Sequence, residues 1–329
     1  MSEKIKISLA CEDYDRTRAL RDGLVSVEGV ELEYVSLGPL ELFKRVLQNE
    51  EFDAAELSFS NYMMERSRDI NRFIALPVFT SRMFRHSSIF VNTQAGIEKP
   101  QDLAGKKVGV LEYHITAALC IRGFLSDDYG VRPETIRWFT GGQEKPEATD
   151  RMAHIKLPES LSIQHIGPHQ TLNKMLEEGE LDALITAFNP TCFIKKSPHV
   201  RRLFPDFRKE EEDYYLRTGI FPIMHLVVIR QKVYEQNPYL AESLYRAFAQ
   251  AKDLAQEKLR KTSALTVLLP WLIPEIEQVE NMMGPDYWAY GVSRNRRTLD
   301  AEARWSFEQG LSPRLLDVEE LFAPNTLAL

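Results

Sequence analysis

At 329 residues, 44% hydrophobic and 27% charged, the chain has the composition of a soluble globular protein and the length for about two ordinary cores. A net charge of −7 argues against a dedicated nucleic-acid binder, and no apolar run approaches the ~18 residues that would span a membrane. Cys11, Cys120 and Cys192 lie far apart without CxxC spacing, which excludes a disulfide framework and a cysteine zinc site and fits buried thiols in a reducing compartment.

Met1–Lys4 leads straight into the strand pattern Ile5–Leu9 with no apolar leader, so the expected location is the cytoplasm, with neither membrane nor nucleic acid as partner. Strand and helix signals then alternate. A strand over 4–10 is followed by a helix capped by Asp13 or Asp15 and running to about Leu24. A second strand covers Val30–Val35, and Pro39 opens a helix with Leu40, Phe43 and Leu47 on one face. Asp53–Ser58 reads as a third strand, Tyr62–Arg68 as helix and Ser87–Asn92 as strand.

From Thr93 a second unit is expected: a turn-rich entry into the strand at Val108, a helix over Ile115–Leu125, and strands at Ile136–Phe139, Ser162–Ile166 and Asp182–Ala187. A helix at Gln170–Glu178 is closed by Gly179. Phe221–Arg230 forms one more strand, followed by helices over Pro238–Arg260, Pro274–Met283 and Leu299–Glu308. The division this predicts is a first lobe from 1–92 and 221–329, carrying a C-terminal helical tail, and a second lobe from 93–220.

Three fragments in order, Phe52-Asp53-Ala54, Asp102-Leu103-Ala104-Gly105-Lys106-Lys107-Val108-Gly109-Val110 and Gly179-Glu180-Leu181-Asp182-Ala183, resemble those of type II periplasmic-binding-protein folds. That resemblance implies an α/β fold of two lobes, each a mixed, mainly parallel sheet flanked by helices, with the ligand in the cleft between them. A narrower resemblance covers almost the whole chain. Tyr14–Leu20, Arg82–Ser87, Thr116–Ala118 through Ile121–Gly123, and Thr218–His225 look like the 4,5-dihydroxyphthalate decarboxylase family. It implies a carboxy-lyase of aromatic catabolism whose substrate is a small aromatic dicarboxylate and which needs no electron-sink cofactor.

A dihydroxylated dianion calls for cationic forks on its carboxylates, which arginine supplies through paired hydrogen bonds. Arg16 and Arg18 follow the first strand, at the carboxyl end where ligands of α/β sheets gather; the alternative places them on the solvent face of the first helix. Arg82, Arg85 and His86 precede an apolar strand and are expected at the cleft. His225 sits in the apolar run Phe221–Ile229, where a buried ring needs a partner, and with His86 it is the candidate proton donor; a core histidine paired to backbone is the plainer alternative. Glu56, Ser58 and Ser60 end the third strand, with Glu56 either a buried acid of raised pKa or an edge residue. Glu112, Tyr113, His114 and Thr116 form the matching rim of the second unit, where Thr116 would also serve as a helix cap and His114 as a surface residue.

No metal site is expected: Gly167-Pro168 breaks the helix that would align His165 with His169, and Glu147, Asp150 and His154 belong to a loop. No phosphate-binding glycine motif is present. The rival readings are a non-catalytic small-anion-binding protein on the same fold and a same-fold enzyme with another substrate. Trp271, Tyr287, Trp288, Tyr290 and Trp305 crowd the tail; core packing accounts for most of them and a homo-oligomer interface for the rest.

Overall fold

The computed structural model describes residues 4–146 and 156–329. Glu147, Asp150 and His154 therefore lie outside the described residues. The chain opens with β1 (Ile5–Cys11), α1 (Asp15–Arg21), β2 (Val30–Ser36), α2 (Pro39–Asn49), β3 (Ala54–Ser58), α3 (Phe59–Arg66) and β4 (Phe73–Arg82). Next come β5 (Ile89–Asn92), β6 (Lys107–Val110), α4 (Thr116–Tyr129), β7 (Arg137–Thr140), β8 (Ile163–His165), α5 (Leu172–Glu177), β9 (Ala183–Ile185), α6 (Thr191–Ile194), β10 (Val200–Arg202) and α7 (Phe207–Thr218). β11 (Ile223–Arg230) precedes the helices α8 (Gln231–Gln236), α9 (Tyr239–Leu259), α10 (Leu272–Met283) and α11 (Val292–Glu308).

The strands form two mixed sheets, ordered β2-β1-β3-β11-β4 and β10-β5-β9-β6-β7-β8. In the first, β1 runs parallel to β2 and β3, while β11 enters antiparallel between β3 and β4. Strands covered on both faces lose the polar alternation of a half-exposed sheet, and Leu226, Val227, Val228 and Ile229 of β11 are all fully buried. This topology brings the carboxyl ends of β1, β3 and β4 to one edge, together with the start of β11.

The assignment of β5 needs correcting. Expected at the end of the first lobe, it pairs instead with β9 and β10 in the second sheet. An apolar run such as Ile89-Phe90-Val91 satisfies either sheet equally, so its pattern does not say which it joins. The crossing falls before residue 89, and Asn92 secures the strand by donating to the Leu176 carbonyl at 2.8 Å. β4 lacks a continuous strand signal because Pro77 interrupts the run Phe73–Phe79; it is an edge strand, where a missing backbone donor is tolerated.

The tail closes over that edge. Ala323 donates its backbone N–H to the Ala75 carbonyl at 2.9 Å, Trp288 Nε1 donates to the Phe79 carbonyl at 2.9 Å, and α9 packs against α1 and β4. α11 also reaches α4, where a Cβ on Gly123 would lie 2.2 Å from the Trp305 ring. Part of the Ile121–Gly123 fragment is thus explained by packing. The three cysteines are free and buried. Among the described residues, no helix is long and apolar enough to cross a membrane.

Candidate functional site

Both sheets aim their strand ends at one cavity of about 510 Å³. The first sheet contributes Glu12, Asp13 and Tyr14 after β1, Ser58 at the end of β3, Ser81 near the end of β4, and Met224 and His225 at the start of β11. Leu111 and Ile115, between β6 and α4, Thr116 at the start of α4, and Ala187 and Phe188 beyond β9 come from the other side. Leu40 and Phe43 of α2 and Met83 complete an apolar wall. A largely apolar cleft with a few convergent polar groups is the form a small-molecule site takes.

His225 is held in a defined state. Its Nδ1–H donates to Glu56 Oε1 at 2.7 Å, and the edge of Phe43 meets the ring with centroids 4.8 Å apart. Glu56 is fully buried, and burial alone would raise its pKa; the hydrogen bond and charge of His225, the Glu12 N–H and the Tyr14 hydroxyl outweigh that and hold it near 2. Tyr14 donates at 2.8 Å, the Glu12 N–H at 3.0 Å and the Cys11 thiol at 3.2 Å. The expectation of a raised Glu56 pKa is thereby corrected: the acid is buried, but its donors keep it ionised. An ionised acceptor fixes the hydrogen on Nδ1 and leaves Nε2 as the imidazole's remaining functional nitrogen.

Arg85 is the one guanidinium lining the cavity among the described residues. The residue is 7% exposed; its Nε donates to Met224 Sδ at 3.3 Å, while Nη1 is buried with no hydrogen-bond partner among the described residues. Burial lowers its pKa to about 10, still cationic at neutral pH. A buried, unsatisfied cationic donor at a cavity wall is a ready acceptor of an anion.

The other candidate arginines hold fixed partners away from the cavity, although Arg82 Nε is buried without one among the described residues. Arg82 donates from Nη1 to Asn295 Oδ1 at 2.7 Å and to the Ala289 carbonyl at 3.2 Å, and from Nη2 to the Phe221 carbonyl at 2.6 Å, tying β4 to the tail. Arg16 donates to the Thr80 carbonyl at 2.6 Å and is sandwiched between Tyr14 and Trp288, its guanidinium carbon 3.9 and 4.4 Å from their ring centres. It supports the cavity residue Tyr14 without lining the cavity itself. Arg18 is exposed and faces Asp13 at 3.6 Å, the solvent-face alternative.

His86 also lies away from the lining. It stacks on Phe124 at 4.1 Å and touches Phe204 and Tyr214, and burial, helped by the Arg217 charge, lowers its pKa to about 4. Ser58, Ser60 and Thr116 form a buried hydroxyl cluster joining the end of β3 to the start of α4: Ser58 Oγ and Ser60 Oγ each lie 3.0 Å from Thr116 Oγ1, which also accepts the Ser60 N–H at 3.1 Å. Ser58 and Thr116 reach the cavity wall, and Thr116 is the first residue of α4, with Ile115 in the cap position. Glu112 and His114 are buried, with His114 Nε2 3.9 Å from Glu112 Oε2, and His114 Nδ1 lies 3.1 Å from Asn61 Oδ1. Tyr113 is buried beneath the Arg122 guanidinium, 3.7 Å above its ring, and packs edge-on to Trp138. Glu112, Tyr113 and His114 do not line the cavity.

Sequence reasoning passed over Glu12 and Asp13 as site residues, although they follow the first strand where ligands gather; Tyr14 and Met224 lay inside fragments quoted for their resemblance without a role. Among the described residues, no group of three or more metal-ligating side chains comes together. His165 Nδ1 lies 2.9 Å from the Thr140 hydroxyl, at the end of β8.

Comparison with known structures bears out the fold. A putative periplasmic sulfonate-binding protein from Methylobacillus flagellatus superposes with a TM-score of 0.57 at 13% identity, covering 100% of this chain and 94% of that one. The periplasmic aliphatic sulphonate-binding protein of Escherichia coli gives 0.54 at 12% identity, covering 99% of this chain and 100% of that one. No protein-family model matches the chain. Among curated proteins, a 4,5-dihydroxyphthalate decarboxylase from Comamonas testosteroni is 38% identical over 324 residues, 98% of both chains. One from Pseudomonas putida is 37% identical over 212 residues, 64% of this chain and 82% of that one. At this identity and coverage, the chain belongs to the 4,5-dihydroxyphthalate decarboxylase family, a family of carboxy-lyases.

Proposed function

We propose that the protein removes one carboxylate of 4,5-dihydroxyphthalate, or a closely related aromatic dicarboxylate, as CO2 to leave protocatechuate. The observation that carries this reading is that Arg85, whose buried Nη1 has no hydrogen-bond partner among the described residues, and a carboxylate-anchored imidazole, His225, open on the same apolar-walled cavity. Arg85 takes a substrate carboxylate; the hydroxyls of Ser58 and Thr116 are on hand to donate to carboxylate oxygens.

With protonated His225 as acid, Nε2–H delivers its proton to the ring carbon bearing the departing carboxylate. The hydroxyl para to that carbon feeds electron density into the ring and makes the carbon basic enough to accept it. The carbon–carboxylate bond then breaks, its electron pair returns to the ring, CO2 leaves and aromaticity is restored. His225 recovers its proton from solvent. Glu56 stabilises the imidazolium and fixes the ring's orientation. Approach of the two sheets around bound substrate would exclude water and strengthen each of these interactions.

The test is to incubate purified protein with 4,5-dihydroxyphthalate, with and without a chelator, and measure CO2 and protocatechuate. Stoichiometric release of both supports the reading. Tight binding of the dicarboxylate with no CO2 would identify a non-catalytic anion-binding protein instead.

A further inference from the structure

A site for a dianion has a carboxylate in its wall, and that is the feature the mechanism above leaves unused. Glu12 lines the same cavity as Arg85 and His225. Its side chain has no ion-pair or hydrogen-bond partner among the described residues, whereas neighbouring Asp13 is neutralised by Arg21 at 2.6 Å and Arg18 at 3.6 Å.

The main chain of Glu12, by contrast, is held on both sides. Its N–H donates to Glu56 Oε2 at 3.0 Å, and its carbonyl accepts from the Tyr14 N–H at 3.1 Å, the Tyr34 hydroxyl at 3.2 Å and the Thr17 hydroxyl at 3.3 Å. The backbone thus places the carboxylate at the wall, and the side chain takes no part in holding the loop. An unneutralised carboxylate would repel a purely anionic ligand; it is useful where the ligand also brings donors.

Resting on the reading proposed above, we infer that Glu12 is the residue that recognises the phenolic hydroxyls of the substrate. The substrate carries its carboxylates on one edge of the ring and its hydroxyls on the opposite edge. A cavity whose wall offers a cation in Arg85 and a free anion in Glu12 has the matching polarity. As acceptor of a phenolic O–H, Glu12 raises the electron release of that oxygen into the ring and disfavours aromatic acids that lack hydroxyls.

The probes are protocatechuate and benzoate, which differ by the two hydroxyls and are not decarboxylation substrates under this reading, so their binding is read by calorimetry without turnover. Parent protein should bind protocatechuate about 10- to 100-fold more tightly than benzoate, the range of one charge-assisted hydrogen bond. In Glu12→Ala that ratio should fall close to one while benzoate affinity holds or improves, and kcat/KM for 4,5-dihydroxyphthalate should drop by a similar factor. Glu12→Gln, which keeps an acceptor oxygen and the side-chain shape, should lie between.

Persistence of the parent's preference in Glu12→Ala would overturn the assignment, as would equal weakening of both probes. The outcome is separable from the catalytic reading: a protein that releases no CO2 yet loses its hydroxyl preference on Glu12→Ala refutes the mechanism and keeps the role of Glu12.

Discussion

Where the end of β4 meets the start of β11, the molecule uses the same side-chain types in two ways. At the cavity, Arg85 keeps a buried Nη1 without a hydrogen-bond partner among the described residues, and across the same space His225 offers one ring nitrogen while Glu56 holds the other. Behind it, Arg82 commits its guanidinium to two carbonyls and Asn295, and His86 stacks flat on Phe124 inside an aromatic cage. The difference lies in where unused bonding capacity faces: Arg82 Nε and His86 Nδ1 are also buried without hydrogen-bond partners among the described residues, but neither residue lines the cavity, whereas Arg85 and His225 do. An unmet donor enclosed by packing builds the fold, and one at a cavity wall can meet a ligand.

The sharpest way to break this contrast is at the two histidines. His225→Asn should lower kcat by about 10²–10⁴-fold, the scale of a lost general acid, with an unfolding midpoint close to the parent's. Turnover in stopped-flow CO2 assays that stays near the parent's would remove His225 from the chemistry.

The two arginines should separate next. Arg85→Gln is expected to reduce kcat/KM by about 10- to 100-fold with little change in folding, because the hydrogen bond its fork loses among the described residues is the one to Met224 Sδ. Arg82→Gln should do the reverse: activity per folded molecule is retained, while urea unfolding shows a loss of about 2–4 kcal/mol from the stranded carbonyls. Equal activity losses in the two variants would mean that the distinction between them is misdrawn.

The alternation of strands and helices and the ordered fragments around Asp53, Asp102 and Gly179 are local, repetitive signals, and the two-sheet fold followed from them. His225 was legible because a polar ring in an apolar run demands a partner. That partner proved to be Glu56, on the same strand as Ser58, the residue opposite His225 in the β3–β11 pairing. What the chain could not announce was direction. Arg82 and Arg85 read alike because nothing local records that a tail residue 213 positions away occupies one and not the other. Glu12 was passed over for the related reason that its value depends on lacking a partner, a property of the assembled cavity.

A third contrast concerns buried acids, and pH resolves it. Glu56 is pinned near 2 by its donors, whereas Glu302, fully buried on α11 and accepting the Ile223 N–H at 2.7 Å, is raised to about 8, chiefly by burial. Since folded Glu302 holds its proton where the unfolded chain has lost it, its contribution is full below about pH 4.5 and is lost as pH rises towards 8. Glu302→Gln should therefore flatten the decline of stability between about pH 4.5 and 8 by up to about 1.4 kcal/mol per pH unit. An unchanged slope would show that the acid is ionised in the folded protein.

The smallest expected effect tests the aromatic cage. His86 is a base whose folded pKa, about 4, lies below the ordinary value near 6.5, so the unfolded chain binds the extra proton first. Its contribution to stability is present above about pH 6.5 and fades as pH falls towards 4, a slope opposite in sign to that of Glu302 and confined to the acid side. His86→Phe keeps a flat ring against Phe124 and removes a buried Nδ1 that has no hydrogen-bond partner among the described residues. The variant should turn over substrate at the parent's rate and lose part of the decline in stability between pH 6.5 and 4. Turnover slowed by about an order of magnitude or more at unchanged stability would instead place His86 in the chemistry and make the aromatic cage part of the active site, because removing a merely packed ring has no route to the rate that bypasses the fold.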